Sequence, residues 1–142
     1  MKFTRGKRIA LEVLGPPFLG AFLMMGFSIG EHLLRNGSLS FVFLQGRDYL
    51  LVFFYAYVFG TLPSLAYMGL MEAAFRRRLD PTEWRAVGLS SGLGLLAGAG
   101  IMLLVSSGRA SARELTYFAA FGFIVGLLLG LIIRFLTRRS AP

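Results

Sequence analysis

Few side chains in this sequence could carry out acid–base, metal or nucleophilic chemistry. His32 is the only histidine, and cysteine is absent. A catalytic zinc site takes three protein ligands, and a serine triad needs a histidine between a serine and a carboxylate. One histidine beside Glu31 supplies neither, so we predict no metal, no cofactor and no enzymatic activity. A carboxylate pair, Glu31 with Asp48, acting on a lipid-linked substrate is the enzymatic alternative.

Charged residues of both signs flank the apolar segments on one side of the predicted bundle. They are Glu31, His32, Arg35, Arg47, Asp48, Arg109, Arg113 and Glu114. Helices packed as a bundle would bring these residues together at one rim, which we name the outer rim. A mixed cluster of this kind can bind a protein partner or an acidic headgroup. Ordinary solvated loop charge is the alternative, and we predict the partner-binding rim.

Two acidic residues fall inside apolar segments, near their ends. Glu12 follows Arg8 by four residues, and Glu72 precedes Arg76 by four. Residues at this spacing are neighbours on a helix, so each carboxylate can form a local ion pair. No acidic residue falls near the middle of a segment, which argues against a proton pump built on a buried carboxylate.

Long apolar segments must position these residues. The chain is 56% hydrophobic and only 15% charged, which is unusual for a water-soluble domain of 142 residues. A helix needs about 20 apolar residues to cross a bilayer. Four segments qualify, at about 9–30, 49–75, 84–105 and 115–135. We predict an all-α, single-domain, four-helix transmembrane bundle over residues 1–142.

Local signals predict three helix boundaries. Asp80-Pro81-Thr82-Glu83 has the pattern of a helix cap, with proline at the first helical position and glutamate at the third. Ser111-Ala112-Arg113-Glu114 is a second capping box. Gly108 is placed to end the third helix.

Two regions of the sequence allow alternative structures. Gly15-Pro16-Pro17 interrupts the first span, so residues 2–14 either belong to a kinked crossing helix or lie on the membrane surface. The connection 36–48 contains the apolar run Leu39–Leu44, which is too short to cross. That run could be an interfacial segment, a strand pair, a lid or a partner-binding surface.

Small residues recur at four-residue spacing in the spans. Gly122, Gly126 and Gly130 share one face of the fourth span, and the third span offers Gly88 with Gly92 and Gly94 with Gly98. Glycine lets two helix backbones approach closely in lipid. We predict packing within the chain at these positions, with homo-oligomer contacts as the alternative.

The positive charges predict the orientation. Eleven cations fall on one side of the predicted bundle: Lys2, Arg5, Lys7, Arg8, Arg76, Arg77, Arg78, Arg85, Arg134, Arg138 and Arg139. Four fall on the other: Arg35, Arg47, Arg109 and Arg113. Short cytoplasmic loops carry the excess of Lys and Arg. Both termini should therefore be cytoplasmic in a multi-pass protein of the bacterial inner membrane. We predict membrane lipids as its partners, and no nucleic acid.

In outline the chain resembles small four-span immunity proteins, including those directed against colicin M-like bacteriocins. It is similar to them in being short, basic, four-spanning and free of cofactor motifs. The resemblance implies protection through contact with a toxin at the periplasmic face. A small oligomeric transporter or channel is the alternative, since small multidrug transporters carry an essential glutamate in the first helix, where Glu12 lies. An accessory subunit of a membrane complex is another.

Overall fold

The computed structural model describes residues 4–36 and 46–140, with the side chains of all but His32, Asn36, residues 46–49 and Ser140. These residues form four helices and no strand. They are α1 (Arg5–Asn36), α2 (Gly46–Arg76), α3 (Trp84–Val105) and α4 (Ala112–Ser140). All four are long and apolar enough to cross a membrane, which confirms the prediction of an all-helical chain with four candidate spans. The run Leu39–Leu44 lies outside the described residues.

Helix α1 is continuous through both of its prolines. Residues 5–14 therefore form one helix with the rest of the first span, and they pack on neighbouring helices through Leu11 and the Arg8 side chain. Proline lacks the N–H that a helix interior uses, so Pro16 and Pro17 leave the carbonyls of Glu12 and Val13 without their usual donors. Pro17 is buried against Gly60 of α2.

The α3–α4 connection follows the sequence signals. Gly108 has φ +78°, in the left-handed region, and its N–H donates to the Leu103 carbonyl at 2.8 Å. Ser111 and Glu114 form the reciprocal capping box: the Glu114 N–H donates to the Ser111 Oγ at 3.3 Å, and the Ser111 N–H donates to the Glu114 Oε2 at 2.9 Å. Both predicted boundaries are confirmed.

The predicted cap at Asp80 is wrong. Helix α3 begins at Trp84, and its N-cap residue is Glu83, whose side chain makes no capping hydrogen bond. Asp80 instead accepts the Thr82 N–H at 2.7 Å, which closes a turn before the helix. This backbone hydrogen bond lowers the pKa of the Asp80 carboxyl, because it stabilises the charged form.

Glycines bring α3 and α4 into backbone contact. A Cβ at Gly94 would collide with the Gly122 carbonyl, and one at Gly98 with the Phe118 carbonyl. A Cβ at Gly126 would collide with the Ser90 carbonyl, and one at Gly130 would lie 3.0 Å from the Ser90 Cβ. The two helices therefore touch along one stripe of small residues.

Two of the glycines predicted to pack do not lie on this stripe. A Cβ at Gly88 or Gly92 would meet nothing within 4 Å. Both are exposed on another face of α3, and Gly94 and Gly98 make the contact instead. Gly122, Gly126 and Gly130 do lie on the stripe, in the contact face of α4.

The four helices form two antiparallel hairpins, α1–α2 and α3–α4, that meet each other less extensively than their own helices do. The N-terminal end of α1, the α2–α3 loop and the C-terminal end of α4 lie at one end, which we name the terminal end. The other end, with the outer rim, is the loop end. The main apolar core joins the hairpins toward the terminal end, through Tyr67, Met71, Leu129 and Ile133.

Candidate functional site

A cleft separates the two hairpins on the loop-end side of the core. Its volume is about 470 Å³, and residues of all four helices line it. It follows α2 from Tyr67 to Val52, a distance of roughly 22 Å at 1.5 Å per residue. Cavities of about 300–1,000 Å³ are typical of small-molecule sites.

Small residues create the space, and large apolar residues form its walls. Gly20 of α1, Ala56 of α2 and Ala97 of α3 line the cleft, as do Phe59 and Phe121. A Cβ at Gly20 would meet nothing within 4 Å, so the cleft extends to the α1 backbone there. A ligand in this cleft would be held mainly by van der Waals contacts between its apolar groups and the apolar walls.

The hydroxyl groups of Ser64 and Tyr67, which line the cleft, bond to the protein itself, and Tyr67 does so through Ser90. The Ser90 Oγ lies 2.5 Å from the Gly126 carbonyl oxygen, which can only accept, so the serine donates its proton there. The Tyr67 hydroxyl, 2.6 Å from the same Oγ, is then the donor to Ser90. This chain ties α2 to α3 and α3 to α4. Nearby, Ser64 donates to the Gly60 carbonyl at 2.7 Å within α2.

An ionic cluster joins α1 to α2 at the terminal end. Glu72 forms ion pairs with Arg5, with Arg8 at 2.6 Å and with Arg76 at 3.4 Å. The Arg8 guanidinium also lies 4.3 Å from the centre of the Phe75 ring. Glu72 and Arg8 are only 12% and 14% exposed, so water screens their attraction weakly. The cluster joins α1 to α2 on the terminal-end side of the core.

Glu12 is fully buried beside this cluster. Its Oε1 lies 3.6 Å from the Arg8 Nε, and among the described residues neither carboxyl oxygen has a hydrogen-bond donor. Glu12 precedes Pro16, a lining residue of the cleft, by one helical turn, but does not itself line the cleft.

The sequence predicted only half of this cluster. Both local pairs, Arg8 with Glu12 and Glu72 with Arg76, are present. The pairs of Glu72 with Arg5 and Arg8 cross between helices and were missed. One available signal was depth, since Arg8 near the start of one span and Glu72 near the end of the next must lie at similar levels in antiparallel helices.

The outer-rim side chains that the structure describes are exposed and make local contacts. Glu31 pairs with Arg35 at 2.7 Å within α1, and the Arg113 guanidinium lies 5.6 Å from the Tyr117 ring centre within α4. The Glu114 carboxylate accepts a hydrogen bond from the Ser111 hydroxyl in the capping box, and Arg109 lies in the α3–α4 loop. The side chains of His32, Arg47 and Asp48 lie outside the description.

Fold and cleft together define a class: an all-helical chain of four candidate membrane spans with an apolar cleft between two hairpins. Comparison of the chain with protein-family models, with curated proteins and with solved structures finds no match.

Proposed function

We propose that this protein is a non-enzymatic, multi-pass protein of the bacterial inner membrane that binds a hydrophobic molecule between its two helical hairpins. Both termini are cytoplasmic in this proposal, because the arginine-rich terminal end follows the charge bias of cytoplasmic loops. The observation that carries the proposal is the apolar cleft of about 470 Å³.

The walls of the cleft favour a hydrocarbon chain as the ligand. A polar group that entered would lose its hydration, and the lining hydroxyls of Ser64 and Tyr67 already have partners in the protein. The acyl chains of membrane lipids have the matching chemistry and surround a protein of this class. The proposed ligand is therefore a lipid acyl chain or a small molecule of the same apolar character.

Filling the cleft should prevent binding. In Gly20→Leu the new side chain would occupy the open space beside α1. We expect labelling of cleft residues by a lipid with a photoreactive diazirine in its acyl chain to fall about fivefold or more, since overfilling a site costs about 1 kcal/mol or more. Peptide mass spectrometry of the crosslinked protein measures the labelling residue by residue.

Gly26→Leu is the matched control. Gly26 lies in the same helix and also has open space around it, but it does not line the cleft. Both substitutions remove a helix-interior glycine, so their effects on helix propensity are alike. Equal labelling of the two variants, or labelling of the wild type spread evenly over its lipid-facing surface, would contradict the proposal.

Contact of the outer rim with a protein partner, most concretely bacteriocin immunity, is a second candidate function. The exposure of Arg109, Arg113 and the Glu31–Arg35 pair at one end supports it. If it holds, cells that express the protein should survive a toxin encoded by a neighbouring gene, and Arg109→Glu with Arg113→Glu should abolish survival. Survival that is unaffected by this double charge reversal, at equal protein levels, would exclude the rim as the contact.

The two candidates make different demands on the chain. Acyl-chain binding uses the cleft and needs no exposed partner surface. Immunity needs the outer rim and leaves the cleft unused. Gly20→Leu should therefore impair the first function alone, and the double charge reversal the second alone.

A further inference from the structure

A second, polar pocket lies at the terminal end, where α3 begins and α4 ends. Its volume is about 520 Å³. Its lining residues are Thr82, Glu83, Trp84, Arg85, Arg134 and Arg138.

One arginine of the pocket is held in place by two contacts. The Arg134 Nε donates to the Thr82 carbonyl at 2.9 Å, and the guanidinium lies 3.8 Å from the centre of the Trp84 ring. A guanidinium carries five N–H donors, and this hydrogen bond uses one of them. The donors on the two terminal nitrogens remain for a ligand, and the fixed group loses little entropy on binding one.

The charge of the pocket favours an anion. Among the described residues, none of Arg85, Arg134 and Arg138 forms an ion pair within 4.0 Å. Two carboxylates lie near them: Glu83 lines the pocket, and the Arg138 charge contributes to the lowered pKa of Asp80. Because Glu83 caps α3 without a side-chain hydrogen bond, the N–H groups of the first helical turn add positive potential at the same place.

The position of the pocket indicates which anion. Trp84, 64% exposed, stands at the end of a candidate span, the level at which tryptophan meets lipid headgroups. Arg139 and Phe135 extend the same mixture of cations and aromatic rings along α4. Basic pockets between spans on the cytoplasmic side are suited to acidic headgroups.

We propose that this pocket binds the phosphate of an anionic phospholipid headgroup, with Arg134 as the central ligand and Arg85 and Arg138 beside it. The proposal rests on membrane insertion, which it shares with the proposed function, but not on occupancy of the cleft. The Nη donors of Arg134 reach the phosphate oxygens, while Thr82 and Trp84 hold the guanidinium in position.

Native mass spectrometry of the detergent-solubilised full chain, titrated with phosphatidylglycerol or phosphatidylcholine, tests this proposal. We expect one phosphatidylglycerol to be retained per chain, in preference to phosphatidylcholine. Arg134→Gln should weaken its binding about tenfold, the usual effect of losing one charge-assisted contact to phosphate. Arg134→Lys should lose most of this affinity as well, because lysine keeps the charge but neither the planar stacking nor the fork of donors.

Arg77→Gln is the matched control, because it removes the same charge from the terminal end outside the pocket. It should leave binding within about twofold of wild type, since an exposed charge outside the site acts only through a screened potential. Circular dichroism of each variant establishes that it is folded, and Arg138→Gln replaces Arg134→Gln if the latter is not.

Three outcomes would overturn the inference: equal retention of the two lipids, equal weakening by Arg77→Gln and Arg134→Gln, or displacement of the lipid by millimolar inorganic phosphate, which would indicate a site for free phosphate. Diazirine labelling of the cleft in the Arg134→Gln protein separates the two sites. In Arg134→Gln, cleft labelling that persists while selectivity for phosphatidylglycerol is lost supports both proposals. In the wild type, selectivity for phosphatidylglycerol without labelling of the cleft contradicts the acyl-chain proposal alone.

Discussion

Gly94→Ala is expected to lower the free energy of unfolding by about 3 kcal/mol or more, at the upper end of what overpacking costs. The new Cβ would collide with the backbone carbonyl of Gly122, which cannot rotate away as a side chain could. The α3–α4 hairpin would have to separate along its whole contact stripe, losing the close backbone approach that stabilises helix pairs in lipid. Unfolding in mixed detergent micelles, followed by circular dichroism, measures the change.

Gly92→Ala supplies the control for this prediction. Gly92 lies only two residues from Gly94, but its added Cβ would meet nothing within 4 Å. Alanine forms helix better than glycine, so this variant should be unchanged or more stable by up to about 1 kcal/mol. Equal destabilisation of the two variants would show that the stripe through Gly94 is not the α3–α4 contact.

Glu72→Ala is expected to lower the free energy of unfolding by roughly 2 kcal/mol, between the cost of losing an exposed ion pair and that of breaking a buried one, because the Arg8–Glu72 pair is partly buried. Three arginines, Arg5, Arg8 and Arg76, would lose their shared counter-charge. Arg8 is 14% exposed and could not recover its hydration without opening the helix pair. Glu72→Gln should show most of the same loss, because it keeps the shape and removes the charge.

Glu31→Ala is the comparison for Glu72→Ala. Glu31 also pairs with an arginine four residues along its helix, at 2.7 Å, but the two side chains are 47% and 75% exposed. Exposed pairs of this kind contribute little, so its unfolding curve should overlay that of wild type. A Glu72→Ala protein as stable as Glu31→Ala would mean that Arg5 and Arg8 do not join the two helices.

The helices themselves followed from the sequence for a simple reason. A segment of about 20 apolar residues has few stable structures other than a helix, since the backbone must satisfy its own hydrogen bonds where water is absent. That constraint is local, so the sequence predicted a span at about 84–105, where α3 lies. Gly108 and the Ser111–Glu114 box were equally readable, because each acts within a single turn.

The failed boundary at Asp80 has the opposite cause. The same four residues can cap a helix or close a turn before one, and the two differ by a few hydrogen bonds. The choice accompanies the placement of α3 against α4, where the Thr82 carbonyl accepts the Arg134 Nε. Such a partner, 52 residues further along the chain, leaves no mark on the local pattern.

Length, hydropathy and charge bias determined that this chain has four helices suited to a membrane, because each helix depends on its own residues. Only the tertiary structure decided that Gly94 rather than Gly92 meets α4, that Glu72 gathers arginines from two helices, and that the hairpins leave a cleft between them. Each of these depends on the rotation and tilt of one helix against another. Those two quantities are set by the summed contacts of whole faces, and no single segment of sequence contains them.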